Sequence, residues 1–107
     1  RLRILASASA TPGRGGPGIP TIGESVIRGF AAEPWNGLMG PAGMKRELVV
    51  RLNEAINEAM ARKDVVDRLA AMEQYPLTGS PAQFVSHIAE QTARWAAVIK
   101  TADIKAD

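Results

Sequence analysis

Every glycine but Gly79, and every proline but Pro76 and Pro81, lies in the first 43 residues of this 107-residue chain. That asymmetry constrains the fold more than any single motif. Glycine and proline interrupt helices and central strands, so residues 1–43 cannot form long regular elements. The remaining residues are free of such breaks over helical lengths. The expectation is a mainly α chain with one or two short strands. Residues 1–43 form a strand, loop and extended segment, and residues 44–107 form a three-helix segment.

Within the first part, Leu2, Ile4 and Ala6 alternate with Arg3, Leu5 and Ser7, which reads as a strand over residues 2–8. A single strand leaves its backbone groups unpaired and needs a partner. Residues 11–20 carry Pro12, Gly13, Gly15, Gly16, Pro17, Gly18 and Pro20, a surface loop. Gly13-Arg14-Gly15-Gly16 is not a phosphate cradle, because no Lys followed by Ser or Thr closes it at a helix start. Thr21-Ile22-Gly23-Glu24 has the spacing of a capping box, which predicts a helical turn over residues 22–26 and makes Glu24 a cap and not an acid catalyst. Residues 30–39 read as extended, with Pro34 placing that position at a sheet edge, a bulge or a strand start.

The second part carries three amphipathic patterns. Residues 45–61 place Leu48, Val49, Leu52, Ile56, Ala59 and Met60 on one face. Residues 65–72 form a short helix that Asp64 can cap. Ser80-Pro81-Ala82-Gln83 opens the last helix with a capping residue, proline at the first helical position and glutamine at the third. That helix continues to residue 101 with the stripe Phe84, Ile88, Gln91, Thr92, Trp95 and Ile99. Trp95 therefore reads as core, packed against Phe84, Ile88, Leu52 and Ile56.

Composition removes several functions. The hydrophobic fraction of 46% fits a globular chain. A net charge of +2, with Lys and Arg interspersed among Asp and Glu, gives no basic stripe, and no nucleic-acid partner is expected. The absence of cysteine removes disulfides, a thiol nucleophile and the common structural zinc sites. His87 is the single histidine, at the margin of the last helix's stripe without a carboxylate four residues away, so neither a metal site nor a cofactor is expected. No serine sits in a Gly-x-Ser-x-Gly elbow. No enzyme is indicated. No apolar run reaches the ~18 residues of a membrane span. Arg1-Leu2-Arg3-Ile4-Leu5-Ala6 is too short for a secretory leader of ~7–15 apolar residues behind a charged start. The chain opens directly in strand-like sequence, which leads us to expect a truncated polypeptide.

The order of segments resembles one family. Leu2-Arg3-Ile4-Leu5-Ala6-Ser7-Ala8-Ser9 comes first, then Ile19-Pro20-Thr21-Ile22-Gly23-Glu24-Ser25, Trp35-Asn36-Gly37-Leu38 and Gly40-Pro41-Ala42-Gly43. Val50-Arg51-Leu52-Asn53, Asp64-Val65-Val66-Asp67-Arg68-Leu69 and Gly79-Ser80-Pro81-Ala82-Gln83-Phe84 follow, with Trp95 and Ile99 last. Together they resemble the C-terminal region of the Bug family, the solute receptors of tripartite tricarboxylate transporters. Three departures stand out: Gly43-Met44-Lys45 where the family has Gly-Thr-Pro, Val26 where it has glycine, and an unusually glycine-rich loop at 11–18.

The resemblance implies that the whole chain, 1–107, is a single partial domain, the C-terminal fragment of an α/β type II periplasmic-binding-protein fold. It implies a periplasmic location, a small organic or amino-acid carboxylate as ligand of the full-length protein, and transporter membrane subunits as partners. Ser7, Ser9, Trp35 and Gly37 lie in segments that would approach the ligand cleft. A fragment would bind little by itself and would self-associate. The alternative is a free-standing helical protein-interaction module.

Overall fold

The computed structural model describes residues 2–105; Arg1, Ala106 and Asp107 lie outside the described residues. Among the described residues four helices follow in order: α1 (Ile22–Ser25), α2 (Arg46–Ala61), α3 (Lys63–Ala71) and α4 (Pro81–Thr101). The chain groups into two units, Arg1–Gly40 and Pro41–Asp107.

The fold is mainly helical, as composition and periodicity led us to expect, but the strands are reduced almost to nothing. Among the described residues the sole β pairing is an isolated parallel bridge between Ser7 and Thr21. Residues 2–5 are exposed, and residues 30–39 run without a ladder. A strand is stabilised by a run of partners along its edges and by a covered face; residues 2–5 are exposed, and the 30–39 segment has one backbone bond to the first segment, from Ala32 to Ala8, and no ladder.

In the second unit, α2 packs with both α3 and α4. Its N-cap is Lys45, which makes no side-chain capping bond, as the Gly43-Met44-Lys45 departure implies. α3 begins two residues before the sequence pattern suggests. Arg62 occupies its N-cap position without a side-chain capping bond, and the Arg62 guanidinium grips the Asp64 carboxylate with two bonds of 3.0 Å, so Asp64 lies in the first turn and is not the cap. α4 opens as expected: Ser80 Oγ accepts from the Gln83 backbone N–H at 3.2 Å, and Gln83 Oε1 accepts from the Ser80 N–H at 2.7 Å.

A polar clamp fixes α4 on α2. Asn53 and Asn57, one turn apart on the same face, both donate from Nδ2 to the Gly79 carbonyl at 2.9 Å. The Gly79 N–H returns a bond to Asn57 Oδ1 at 3.3 Å. Gly79 immediately precedes the cap of α4, so two side chains of α2 set where α4 starts.

Apolar burial does far less. None of the described hydrophobic residues is fully buried. Leu48, Val50, Leu52, Met72, Leu77, Val85, Val98 and Ile99 are all exposed. The accessible surface is 9262 Å². Two separate, well-packed globules with the residue counts of the two units would expose only about 6,900 Å² together. Trp95 is the clearest correction: it is 43% exposed, and its Nε1 donates to Gln91 on its own helix at 3.2 Å. Leu52, expected beneath it, is 46% exposed. The half-buried residues of α4 (Pro81, Phe84, His87, Ile88 and Gln91) end at Gln91, and the ten that follow to Thr101 are exposed. The stripe is continuous in sequence, but the cover runs out before Trp95.

Candidate functional site

The four candidate residues all fall in the first unit, where hydrogen bonds hold chain segments that have no sheet to join. The Ser7 N–H donates to the Pro20 carbonyl and the Ile22 N–H donates to the Ser7 carbonyl, both at 2.8 Å. These two bonds close the far end of the glycine-rich loop onto the first segment. Gly15 sits against Ser7 so closely that an added Cβ would lie 2.7 Å from the Ser7 Cβ.

Thr21, only 3% exposed, has every polar group engaged. Its Oγ1 accepts from the Glu24 N–H at 3.1 Å and donates to Glu24 Oε2 at 2.9 Å. Its own N–H donates to the same carboxylate oxygen at 2.9 Å. The predicted capping box is therefore complete. The bond from the Thr21 backbone, then that from its hydroxyl, holds the Glu24 carboxyl below the usual carboxylate range. After α1 the chain returns: the Ala32 N–H donates to the Ala8 carbonyl at 2.9 Å, bringing residues 30–33 beside residues 7–9.

That return places Glu33 over Ser9. Ser9 is 7% exposed, and its hydroxyl donates to Glu33 Oε1 at 2.6 Å while accepting from the Thr11 N–H at 3.0 Å. The Ser9 N–H donates to Ser7 Oγ at 3.2 Å. Arg14, from the glycine-rich loop, donates from a terminal guanidinium nitrogen to the same Glu33 oxygen at 3.1 Å. The Ser9 hydroxyl, more than the Arg14 charge, holds the Glu33 carboxyl below its ordinary range, against a partial desolvation.

Ser7 and Ser9 are thus brought together. Trp35 is half-buried two residues beyond Glu33, and Gly37 is exposed and outside this network. Glu33 and Arg14 were not singled out by sequence. They stand 19 residues apart across an irregular loop, so no period links them, and the only trace is a carboxylate and a cation on either side of the first helical turn. The cluster ties three chain segments together. The Ser9 hydroxyl is buried and used in both directions, so it has no imidazole-activated nucleophile's geometry. Among the described residues no group of three His, Asp or Glu side chains is placed to hold a metal ion, and no helix is long and apolar enough to cross a membrane.

Residues 1–104 match the TctC family, described as "Tripartite tricarboxylate transporter family receptor". The chain belongs to this family. It is a family of transport receptors and not of enzymes. Among curated relatives, Protein BugT of Bordetella pertussis is 36% identical over 104 residues, covering 97% of this chain and 32% of that protein. A UPF0065 protein from the tcbD–tcbE intergenic region of Pseudomonas sp. strain P51 is 34% identical over 100 residues, 92% of this chain and 30% of its own length. A UPF0065 protein of Bordetella bronchiseptica is 33% identical over 105 residues, 98% of this chain and 31% of its own. The chain therefore spans about a third of the length of the curated relatives it matches. No solved structure matches it significantly.

Proposed function

We propose that this chain is the C-terminal third of an extracytoplasmic solute receptor. The complete receptor resides in the periplasm, binds a small organic or amino-acid carboxylate and presents it to the membrane subunits of a tripartite transporter, without catalysis. The observation that carries this reading is the uncovered apolar surface. Leucines, valines and a tryptophan on α2 and α4 lie open, in a chain about a third as long as its relatives. A free-standing module would be expected to cover such side chains itself. On this reading residues 1–107 are one partial domain, completed by the rest of the receptor.

The ligand site is shared with the missing part. Ser7, Ser9, Trp35 and Gly37 stand near its edge, with Ser9 acting through Glu33 because its hydroxyl is already engaged. Small-molecule sites enclose most of their ligand, so a third of the receptor lines too little of the cleft to bind alone. Calorimetry with citrate, aspartate, glutamate and nicotinate tests this on two proteins: the 107-residue chain, and the same chain joined to the preceding two-thirds of a family receptor. The joined protein should bind one of these classes and the chain none. Sub-micromolar binding by the chain alone would remove the reading.

A further inference from the structure

Three segments of the first unit meet on one carboxylate oxygen. Glu33 Oε1 receives the Ser9 hydroxyl at 2.6 Å and the Arg14 guanidinium at 3.1 Å. Ser9 belongs to the first segment, Arg14 to the middle of the glycine-rich loop, and Glu33 to the return segment that leads to Trp35. Gly15 packs against Ser7 at the middle of the loop, and the loop's own backbone bonds are few. Gly13, Gly16 and Gly18 take positive φ values of 86°, 108° and 75°, a left-handed backbone that glycine adopts without strain. Its internal bonds are two weak turns, Gly16 N–H to the Gly13 carbonyl at 3.2 Å and Ile19 N–H to the Gly16 carbonyl at 3.3 Å. Its far end is fixed by the Ser7–Pro20 bond, so the Arg14 side, with Thr11 N–H on Ser9 Oγ, is the part that the carboxylate restrains.

We propose that Ser9, Arg14 and Glu33 form a latch that straps the glycine-rich loop to the segment carrying Trp35, and that removing the Glu33 carboxylate releases the loop while leaving the rest of the unit in place. The rest stays because its ties are separate. The Ser7–Pro20 and Ser7–Ile22 bonds, the Thr21–Glu24 box and the Ala8–Ala32 bond do not involve Glu33. The consequence is mechanical coupling. A contact that moves the loop pulls on Glu33, and Glu33 is two residues from Trp35. The latch stands apart from the receptor reading, since it depends only on residues within the first unit.

Two of the tryptic bonds in this unit make the test internal. Arg14–Gly15 lies in the strapped loop, and Arg28–Gly29 lies in the turn after α1, whose backbone bonds do not include Ser9, Arg14 or Glu33. Cleavage of a loop follows the population of its open form when opening is fast. A charge-assisted bond is strong enough that its loss raises that population about tenfold or more. The full chain is digested as wild type, Glu33→Gln and Glu33→Ala, and the two cuts are timed by mass spectrometry. Glu33→Ala should speed the Arg14–Gly15 cut about tenfold relative to the Arg28–Gly29 cut. Glu33→Gln keeps an acceptor for Ser9 and should fall between. Ser9→Ala, which leaves the ion pair, should also fall between. An unchanged ratio overturns the latch. An equal rise at both bonds overturns it too, because Glu33 would then support the whole unit and not the loop.

Discussion

Asn57→Ala removes the centre of the clamp that sets α4 on α2. Three bonds go: Nδ2 to the Gly79 carbonyl at 2.9 Å, Gly79 N–H to Oδ1 at 3.3 Å, and Nδ2 to Asn53 Oδ1 at 3.3 Å. The Gly79 carbonyl keeps Asn53 as a donor at 2.9 Å, so its loss is partial. The Gly79 N–H keeps no side-chain partner but is half-buried, so water reaches it at reduced cost. Taking about 1 kcal/mol for each of the two bonds to Gly79, and less for the long Asn–Asn contact, the gross loss is about 2–2.5 kcal/mol. Alanine returns about 0.6 kcal/mol of helix propensity to α2. The net cost of separating α4 from α2 is about 1–2 kcal/mol, a factor of roughly 5–30 in the opening equilibrium. Native-state amide exchange of Gly79 reads this directly, with the helical signal in a urea melt alongside. Asn53→Ala serves as the control: it removes one of the two donors to the Gly79 carbonyl and the long Asn–Asn contact, leaves the Gly79 N–H on Asn57, and should cost under about 1 kcal/mol net of the helix propensity alanine returns. If Gly79 exchanges at the wild-type rate in Asn57→Ala, the helices are held by something other than this clamp.

Three further outcomes are expected. Gly23→Ala should destabilise the first unit by roughly 1–3 kcal/mol, because its Cβ would lie 2.9 Å from the Phe30 carbonyl oxygen, and Gly15→Ala should act similarly against Ser7; exchange of the Ser7 and Ile22 amides measures both. The first unit should loosen in acid. Glu24 and Glu33 are both held below the usual carboxylate range when folded, so their contribution is present above the unfolded carboxylate pKa and is lost as pH falls through the folded values; a carboxyl-carbon NMR titration alongside amide exchange between neutral pH and pH 2 follows the loss, and equal protection throughout would contradict it. The isolated chain should self-associate through its open apolar faces and the exposed segment at residues 2–5; light scattering at micromolar concentration should give a dimer or larger, and a clean 11.4 kDa monomer would oppose it.

Local chemistry made much of the fold legible. Both capping boxes, at Thr21 and Ser80, are decided by residues three apart, and sequence displays them directly. The α4 boundaries follow from Ser80-Pro81 and an unbroken helical period to Thr101. What failed to show depended on distant or absent partners. The alternation of residues 2–6 is a strand's pattern, but a strand forms only against neighbours, and the neighbours reach only its end, at Ser7 and Ala8. Trp95 follows the period of Phe84 and Ile88, yet periodicity reports which face a residue lies on and not what covers that face. Asn53 and Asn57 look like ordinary polar residues on an amphipathic helix, and their partner is a backbone carbonyl 22 to 26 residues away. At the candidate site, Ser7 and Ser9 were legible through the resemblance, whereas Arg14 and Glu33 required the loop's path.

If the chain is part of a receptor, its open apolar side chains are faces that the rest of the receptor covers. Hydroxyl-radical footprinting of Trp95, Met39 and Met72, each exposed here, compares the 107-residue chain at low concentration with a family-length receptor carrying the same residues. The account predicts strong labelling of all three in the chain and protection of Trp95 and at least one of the methionines in the receptor. Equal labelling of all three in both proteins would contradict it.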